Sequence, residues 1–486
     1  MKNIKYIIAL FLLIYSATAF AQRKCGIEGV KAALIAKDPA WAAKLEAQRG
    51  ALQSIGDHYK ALISSTATER ETSTVSPIPV IFHIAVSSSQ LAYMGGTSGI
   101  LQRIDSQIAV LNRDFNRQNA DSSMIPSSWK SLYASTGIHF GLAHTAPNGY
   151  GSYGYELRIT DGTPDAAGFN ENFTYNDYTD AKDSTYGLAA WDNTKYMNVW
   201  VINFADNSGL LGVTIPKSYT GGAGVPPQYE GVCMNYLALG TQTSTSSLNF
   251  IDGTEYDLGR TLTHEAGHFF EIWHTWGDDG GSCPWSGGRD DGIADTPPEG
   301  DAHYGTPTYT IAGGTLVDDC QYDTTTDEQP IGVPCLDFIN YVDDGAMHMY
   351  TTDQAAVMAA MVLIPSGSGT GARGMGLDGE NYSLTQNPSL LDWPADAGVV
   401  PVSASTGFSL FPNPTSGIVN ISYDATSDQL QLIVVTNMLG QDVKTMDVSG
   451  QKNNSYSVDL SGMGAGIYFV RCNFLSGTIT RKVVLQ

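Results

Sequence analysis

Apolar residues recur at three- and four-residue steps from Trp41 through Leu45, Leu52, Ile55 and Tyr59 to Leu62, so residues 26–65 read as helical with one buried stripe. The polar stretch that follows, "SSTATERETSTVSP", has no apolar period and reads as an exposed, cuttable linker. A β-branched run, "IPVIFHIAV", then predicts a strand. "GILQRIDSQIAVLNRDFNRQN" predicts a helix with Ile100, Ile104, Ile108 and Leu111 on one face. "GIHFGLAH" and "KYMNVWVINF" read as further strands, giving a mixed α/β layout around a sheet. Gly- and Asp-rich loops from about 277 to 335 are long enough to need disulfides or metal ions to hold them. After the Pro-, Ala- and Ser-rich linker 392–407, residues 408–486 alternate in short strands split by Gly, Asn and Asp turns, the pattern of a small β-sandwich.

The chain opens "MKNIKYIIALFLLIYSATAFAQ": a basic start at Lys2 and Lys5, an apolar run, and the small-x-small site Ala19-Phe20-Ala21. Residues 1–21 therefore read as a secretory signal peptide, and no later segment is apolar for long enough to span a bilayer. The formal charge of −23 argues against nucleic acid or an anionic membrane as main partner. It leaves room for calcium among the clustered aspartates. Export makes disulfides plausible among the six cysteines, four of which fall in the middle region.

The chemistry concentrates in "THEAGHFFEIWHTWG". Three of nine histidines lie within eleven residues there. On a helix, His264 and His268 share a face about 6 Å apart and can point two imidazoles at one ion. Glu265 can reach a water on that ion as general base. His274 is the natural third ligand, leaving an open fourth position for water, as catalytic zinc requires. For His274 to return, the helix must break after about Phe270. Glu271 then takes a left-handed conformation that glycine adopts freely and that costs another residue about 1–2 kcal/mol. In the alternative geometry the helix continues and Glu271 itself becomes a ligand.

"HEAGHFFEIWHTWG" resembles the zinc motif of the metzincins, and is close to their pappalysin branch. "IPVIFHIAV", "IAVLNRDFNRQNAD", "GIHFGLA", "KYMNVWVINF", "GLLGVTIP" and "DDGIADTPP" resemble that family's blocks in order, over roughly residues 76–375. The resemblance implies an α/β (α+β) metzincin-type zincin catalytic domain with a twisted mixed sheet and a zinc helix. It implies a secreted zinc-dependent endopeptidase of the metalloendopeptidase class acting on extracellular proteins or peptides, whose backbone would lie along the sheet's edge strand. In "DFINYVDDGAMHMYT", Ile339 takes the place of the family's Met-turn methionine, and Tyr341 matches the tyrosine that helps stabilise the tetrahedral intermediate. "GGRDDGIADTP" resembles the family's calcium loop, with Asp291, Asp295 and Thr296 as candidate ligands and an ordinary acidic turn as the alternative. Cys283 and Cys320 resemble the family's disulfide cysteines. The cysteine usual after the Met-turn is missing, which implies a rewired second bridge, with Cys233 and Cys335 as a candidate pair.

"RKCG" resembles the start of family propeptides, so Cys25 would be a fourth zinc ligand that keeps a latent precursor silent until the linker is cut, Arg70 being a candidate cut site. "LFPNPTSG", "NMLGQDV", "LSGMGAGIYFV" and "RKVVLQ" resemble the type IX secretion sorting domain of Bacteroidetes, which implies the type IX machinery as a partner and a destination outside the cell or on its surface. The expected organisation is signal peptide 1–21, helical propeptide with cysteine switch 22–75, catalytic domain 76–391, linker 392–407 and sorting domain 408–486. Glu271 and Ile339 motivate one alternative, a weakened zinc-bound binding protein; a second is a surface adhesin whose structural zinc is closed by four protein ligands.

Overall fold

In the computed structural model the residues described are 24–65, 77–363 and 408–486, apart from 128, 148–151, 162–178, 205–209, 222–223, 242–254, 279–282, 284–289, 297–298, 307–334, 424–429, 438–441, 449–450, 452 and 475–476. The signal peptide, Arg70 with most of its linker, Cys320 and the 392–407 linker lie outside the described residues.

The N-terminal helical unit is two helices rather than one, α1 (Ile27–Lys37) and α2 (Ala40–Ser65). The break falls at Asp38, whose backbone is extended (φ −148°) because the ring of Pro39 excludes the helical region for the residue before it. Trp41, Leu45 and Leu52 are buried, as their periodicity predicts. Ahead of α1 lies a two-residue strand, β1 (Lys24–Cys25).

The α/β layout predicted from alternation is present. β2 (Ile78–Val86) is buried along its whole length and lies in a seven-stranded sheet between β5 on one side and β3 and β4 on the other. It is followed by a short helix α3 (Ser88–Tyr93), which has a Ser87/Gln90 capping box, and by α4 (Gly96–Phe115). Strands β3 (Phe140–Leu142), β4 (Tyr155–Ile159), β5 (Met197–Ile202), β6 (Leu210–Ile215) and β7 (Gly231–Asn235) complete the sheet. Its order is β1-β6-β7-β5-β2-β3, with β4 also paired to β2. All pairings are parallel except β6 with β7. This makes β6 the edge strand of the remaining sheet, and β1 adds to it with Cys25 opposite Gly212.

The helix carrying the histidines, α5 (Arg260–Phe269), packs against β6 and α4. Its first turn is tied down by Asp344. The Asp344 carboxylate accepts from the amides of Leu258 (3.0 Å) and Arg260 (3.2 Å), while its carbonyl accepts from the Arg260 guanidinium at 2.6 Å. Two short strands, β8 (Tyr304–Gly305) and β9 (Tyr341–Val342), pair in parallel below it. Helix α6 (Thr352–Leu363) packs against α2 of the N-terminal unit, where Gly56 allows the approach: a Cβ there would lie 3.1 Å from Val357 Cγ2.

The predicted β-sandwich is also present. β10 (Ser409–Phe411), β11 (Ile418–Ser422) and β14 (Ser455–Asp459) form one sheet. The other is β13-β12-β15-β16, comprising β12 (Leu430–Asn437), β13 (Asp442–Asp447), β15 (Gly466–Phe474) and β16 (Gly477–Leu485). Between them lies a separate apolar core that includes Val419, Ile421, Ile433, Val435, Val470 and Val483.

Candidate metal centre

Helix α5 ends at Phe269, and the chain turns through Glu271 at φ +73°. The break therefore falls where the spacing of His274 demands it, and the alternative in which the helix runs on and Glu271 becomes a ligand is wrong. Instead the Glu271 carboxylate is buried away from the histidines. It accepts from the Ser218 amide (3.1 Å), the Ser218 hydroxyl (2.6 Å) and the Gln48 side-chain amide of α2 (2.6 Å). The magnitudes decide what this carboxylate is worth. Glycine at 271 would relieve about 1–2 kcal/mol of backbone strain. It would also remove three hydrogen bonds to a charged acceptor and leave part-buried donors without that partner, each loss about 1–3 kcal/mol. Glu271→Gly is thus expected to lower the stability of the full chain by at least about 1 kcal/mol in denaturant unfolding; a stabilised variant would contradict this.

The turn returns His274 to the other two. The Nε2 atoms of His264, His268 and His274 form a triangle with sides of 3.2, 3.0 and 3.3 Å. Each Nδ1 faces an acceptor: the Phe338 carbonyl for His264 (2.8 Å), the Ile272 carbonyl for His268 (2.7 Å) and the Asp278 carboxylate for His274. An acceptor at Nδ1 fixes the ring proton there and leaves Nε2 as a bare lone pair. Burial first, and His274 second, push the His268 pKa down and keep that ring neutral. Three converging lone pairs repel one another unless a cation lies between them. Tetrahedral zinc with bonds of about 2.0–2.1 Å places its ligand nitrogens about 3.3 Å apart, so the triangle fits zinc.

A fourth donor completes the cluster. The Cys25 thiol lies with the three ring nitrogens within 4.8 Å of one another. It hydrogen-bonds Glu265; burial first, then the Glu265 charge, push its pKa up. The only other group of three metal-capable side chains among the described residues is Glu28, His274 and Asp278, which overlaps the same centre.

Glu265 is buried at the cleft, and its Oε2 accepts from Thr214 Oγ1 of β6 at 2.5 Å. Opposite, Gly212 has to be glycine, since a Cβ there would lie 2.5 Å from Glu265 Oε1. The Tyr341 hydroxyl accepts from the Cys25 amide and donates to the Cys25 carbonyl, both at 3.3 Å. Burial, with Cys25 and Glu28 adding to it, pushes the Tyr341 phenol pKa up, so it stays a neutral donor. Trp276 stacks on the His274 ring (4.3 Å between centroids, 6° between planes) and meets Tyr341 edge-on at 4.7 Å. Ile339 is fully buried under the helix. Gly267 leaves room for it, because a Cβ at 267 would collide with the Ile339 side chain.

The candidate calcium residues separate. Thr296 Oγ1 lies 2.7 and 2.9 Å from the two Asp291 oxygens. Asp295 turns away and caps α6 through Thr351 Oγ1 (2.7 Å) and the Asp353 amide (2.9 Å). The expected Cys233–Cys335 bridge is corrected. Both thiols are free and buried, Cys233 within central strand β7 and hydrogen-bonded to Lys182. Cys283 is disulfide-bonded. Sequence reasoning missed Asp278, Asp344 and Asn340. Each is a polar residue beside a motif, and only the fold shows that Asn340 accepts from the Tyr341 amide at 2.8 Å.

Residues 180–363 match the family model described as pregnancy-associated plasma protein-A, and residues 409–486 match the secretion system C-terminal sorting domain. The C-terminal sandwich thus marks the chain for type IX secretion. An extracellular metalloprotease of Colletotrichum graminicola is 32% identical over 124 residues, covering 26% of this chain and 38% of that protein. Extracellular metalloprotease 1 of Coccidioides posadasii is 30% identical over 129 residues, with coverage of 26% and 38%. The chain thus spans about two-fifths of the length of these curated relatives. Among solved structures, a promirolysin mutant of Tannerella forsythia is 29% identical with a TM-score of 0.56, covering 75% of this chain and 100% of that one. Mature mirolysin of the same organism, in complex with a cleaved peptide, is 31% identical with a TM-score of 0.51, covering 65% and 100%.

Proposed function

The chain belongs to the pappalysin family of metallopeptidases, and from that premise we propose that it is a secreted zinc endopeptidase, held latent by its residues 22–75 and active once they are removed. The observation that carries this is the triangle of converging Nε2 atoms on His264, His268 and His274, with Glu265 adjacent. The three imidazoles would hold the ion. Bound there, Zn²⁺ would lower the pKa of a water toward neutrality and polarise the substrate carbonyl. Glu265 takes the proton of the attacking water on its carboxylate and passes it to the leaving amine nitrogen, with Thr214 fixing the carboxylate's orientation. The Tyr341 hydroxyl donates to the oxyanion that develops on the scissile carbonyl. The substrate backbone pairs with β6, the edge that β1 covers in the latent chain.

The donor set separates this reading from its rivals. A structural zinc site would be closed by four ligands of the mature unit. Among the described residues the fourth is Cys25, on the removable segment. The test is mass spectrometry of peptide fragments produced by the processed protein with and without chelator. Fragments that disappear with chelator support the reading, and intact peptides under both conditions defeat it.

Tyr341→Phe removes a single donor to the oxyanion. It is expected to lower kcat by about 10²–10³-fold with KM little changed, in steady-state kinetics on one of those peptides.

We also assign calcium to Asp291 and Thr296. Asp291 is fully buried, and burial, the largest cause, holds its pKa well above 3.8. With its folded pKa raised, the stability from this group is full at low pH and lost as pH rises through the folded value. A cation there replaces the proton. Calcium is therefore expected to raise Tm more at neutral than at acid pH in scans across pH, and a Tm indifferent to calcium would remove the ion from the site.

A further inference from the structure

Two of the three imidazoles are oriented by main-chain carbonyls, Phe338 and Ile272, but the third is oriented by a carboxylate that has a second partner. One Asp278 oxygen faces His274 Nδ1, and the other is ion-paired with Lys31 Nζ of α1. The ammonium also lies 3.2 Å over the Trp273 ring. Both side chains are almost closed to solvent, Lys31 at 7% and Asp278 at 2% exposure. Asp278 reaches this position from a left-handed backbone, φ +59°, rare for a residue with a side chain. A carboxylate that accepts from a ligand imidazole fixes its tautomer and raises its basicity toward the metal. A cation on the same carboxylate withdraws part of that charge.

We propose that Asp278 is the positioning residue for His274, and that Lys31, carried on the N-terminal segment, couples the third metal ligand to the presence of that segment. While α1 is docked, the carboxylate is shared between Lys31 and His274. When α1 leaves, its whole charge serves His274. The segment thereby acts on the centre at three points: through the Cys25 thiol on the open side, through Lys31 behind the third ligand, and through the Glu28 carboxylate, 3.8 Å from His274 Nδ1. This rests on the zinc reading above.

The test is zinc affinity, measured by competition with a chromophoric chelator, and the visible spectrum of the cobalt-substituted protein, for both the full and the processed chain. Asp278→Ala is expected to weaken zinc binding by the processed chain about 10–100-fold, the usual loss when a ligand's orienting partner is removed. Asp278→Asn, which keeps an oxygen acceptor and the side chain's shape, is expected to lose less and to shift the cobalt bands. It serves as the variant of record if the alanine does not fold. Lys31→Met is expected to shift the cobalt bands of the full chain; the processed chain, which lacks residue 31, gives the reference spectrum of the centre without Lys31. Wild-type zinc affinity in both Asp278 variants overturns the positioning role. An unshifted Lys31→Met full chain overturns the coupling. A wild-type processed chain that binds no zinc overturns the metal reading itself, and this proposal with it.

Discussion

Glu265→Gln is expected to lower peptide hydrolysis by the processed chain about 10²–10⁴-fold, the usual contribution of a positioned general base, while zinc stays bound. Glutamine fits the same space: it can still accept from the Thr214 hydroxyl, and it meets Gly212 as the carboxylate does. It cannot take a proton from water or return one to an amine. None of the three nitrogens facing the centre belongs to residue 265, so the metal site loses none of those three nitrogens. Steady-state kinetics with metal analysis of the same sample checks both halves. A glutamine variant with wild-type kcat/KM would move the proton chemistry to another residue, and one that lost its metal would make Glu265 a structural residue.

Cys25→Ala is expected to turn the unprocessed chain from silent to active. The thiol is the donor that closes the open side of the histidine triangle, and a bound cation would remove its proton despite the burial that pushes its pKa up. Alanine keeps β1 on β6 and the Tyr341 bonds to the residue-25 backbone, because those contacts use main-chain atoms. Docking of the segment is then weaker by one metal bond. Even 1.4 kcal/mol of weakening opens the cleft tenfold more often, so initial rates on a fluorogenic peptide should rise by at least about tenfold. The comparison needs a linker altered to resist cleavage, so that the rate belongs to the intact chain. Equal rates for alanine and wild type would show that the segment blocks the cleft by its backbone alone.

The zinc site was legible because its constraints are local. The spacing of His264, His268 and His274 allows one ion only if the helix breaks between Phe270 and His274, and such a turn usually needs a positive φ, which falls on Glu271. The backbone of Glu271 could thus be placed from sequence, but its side chain could not. Ser218 and Gln48, which hold the carboxylate, lie 53 and 223 residues away along the chain. The same holds for Asp278, whose partner Lys31 is 247 residues distant, and for Asp344, which caps α5 from 84 residues beyond it. The strands were legible because β2 and β5 are buried on both faces and read as apolar runs broken only by His83 and Asn198. The break at Pro39 was legible in principle but was masked by an apolar period that resumes at Trp41 with nearly the right phase. The cysteines misled because pairing depends on distance in space: Cys233 points into a sheet beside Lys182 rather than toward Cys335.

Everything proposed for the reaction depends on three imidazoles gripping one cation. Zinc K-edge X-ray absorption on the processed, purified chain tests that most directly. The expected spectrum is stoichiometric zinc with three imidazole nitrogens at about 2.0–2.1 Å and one light oxygen neighbour. A sample without stoichiometric zinc, or a shell with fewer than three imidazoles, would contradict the assignment.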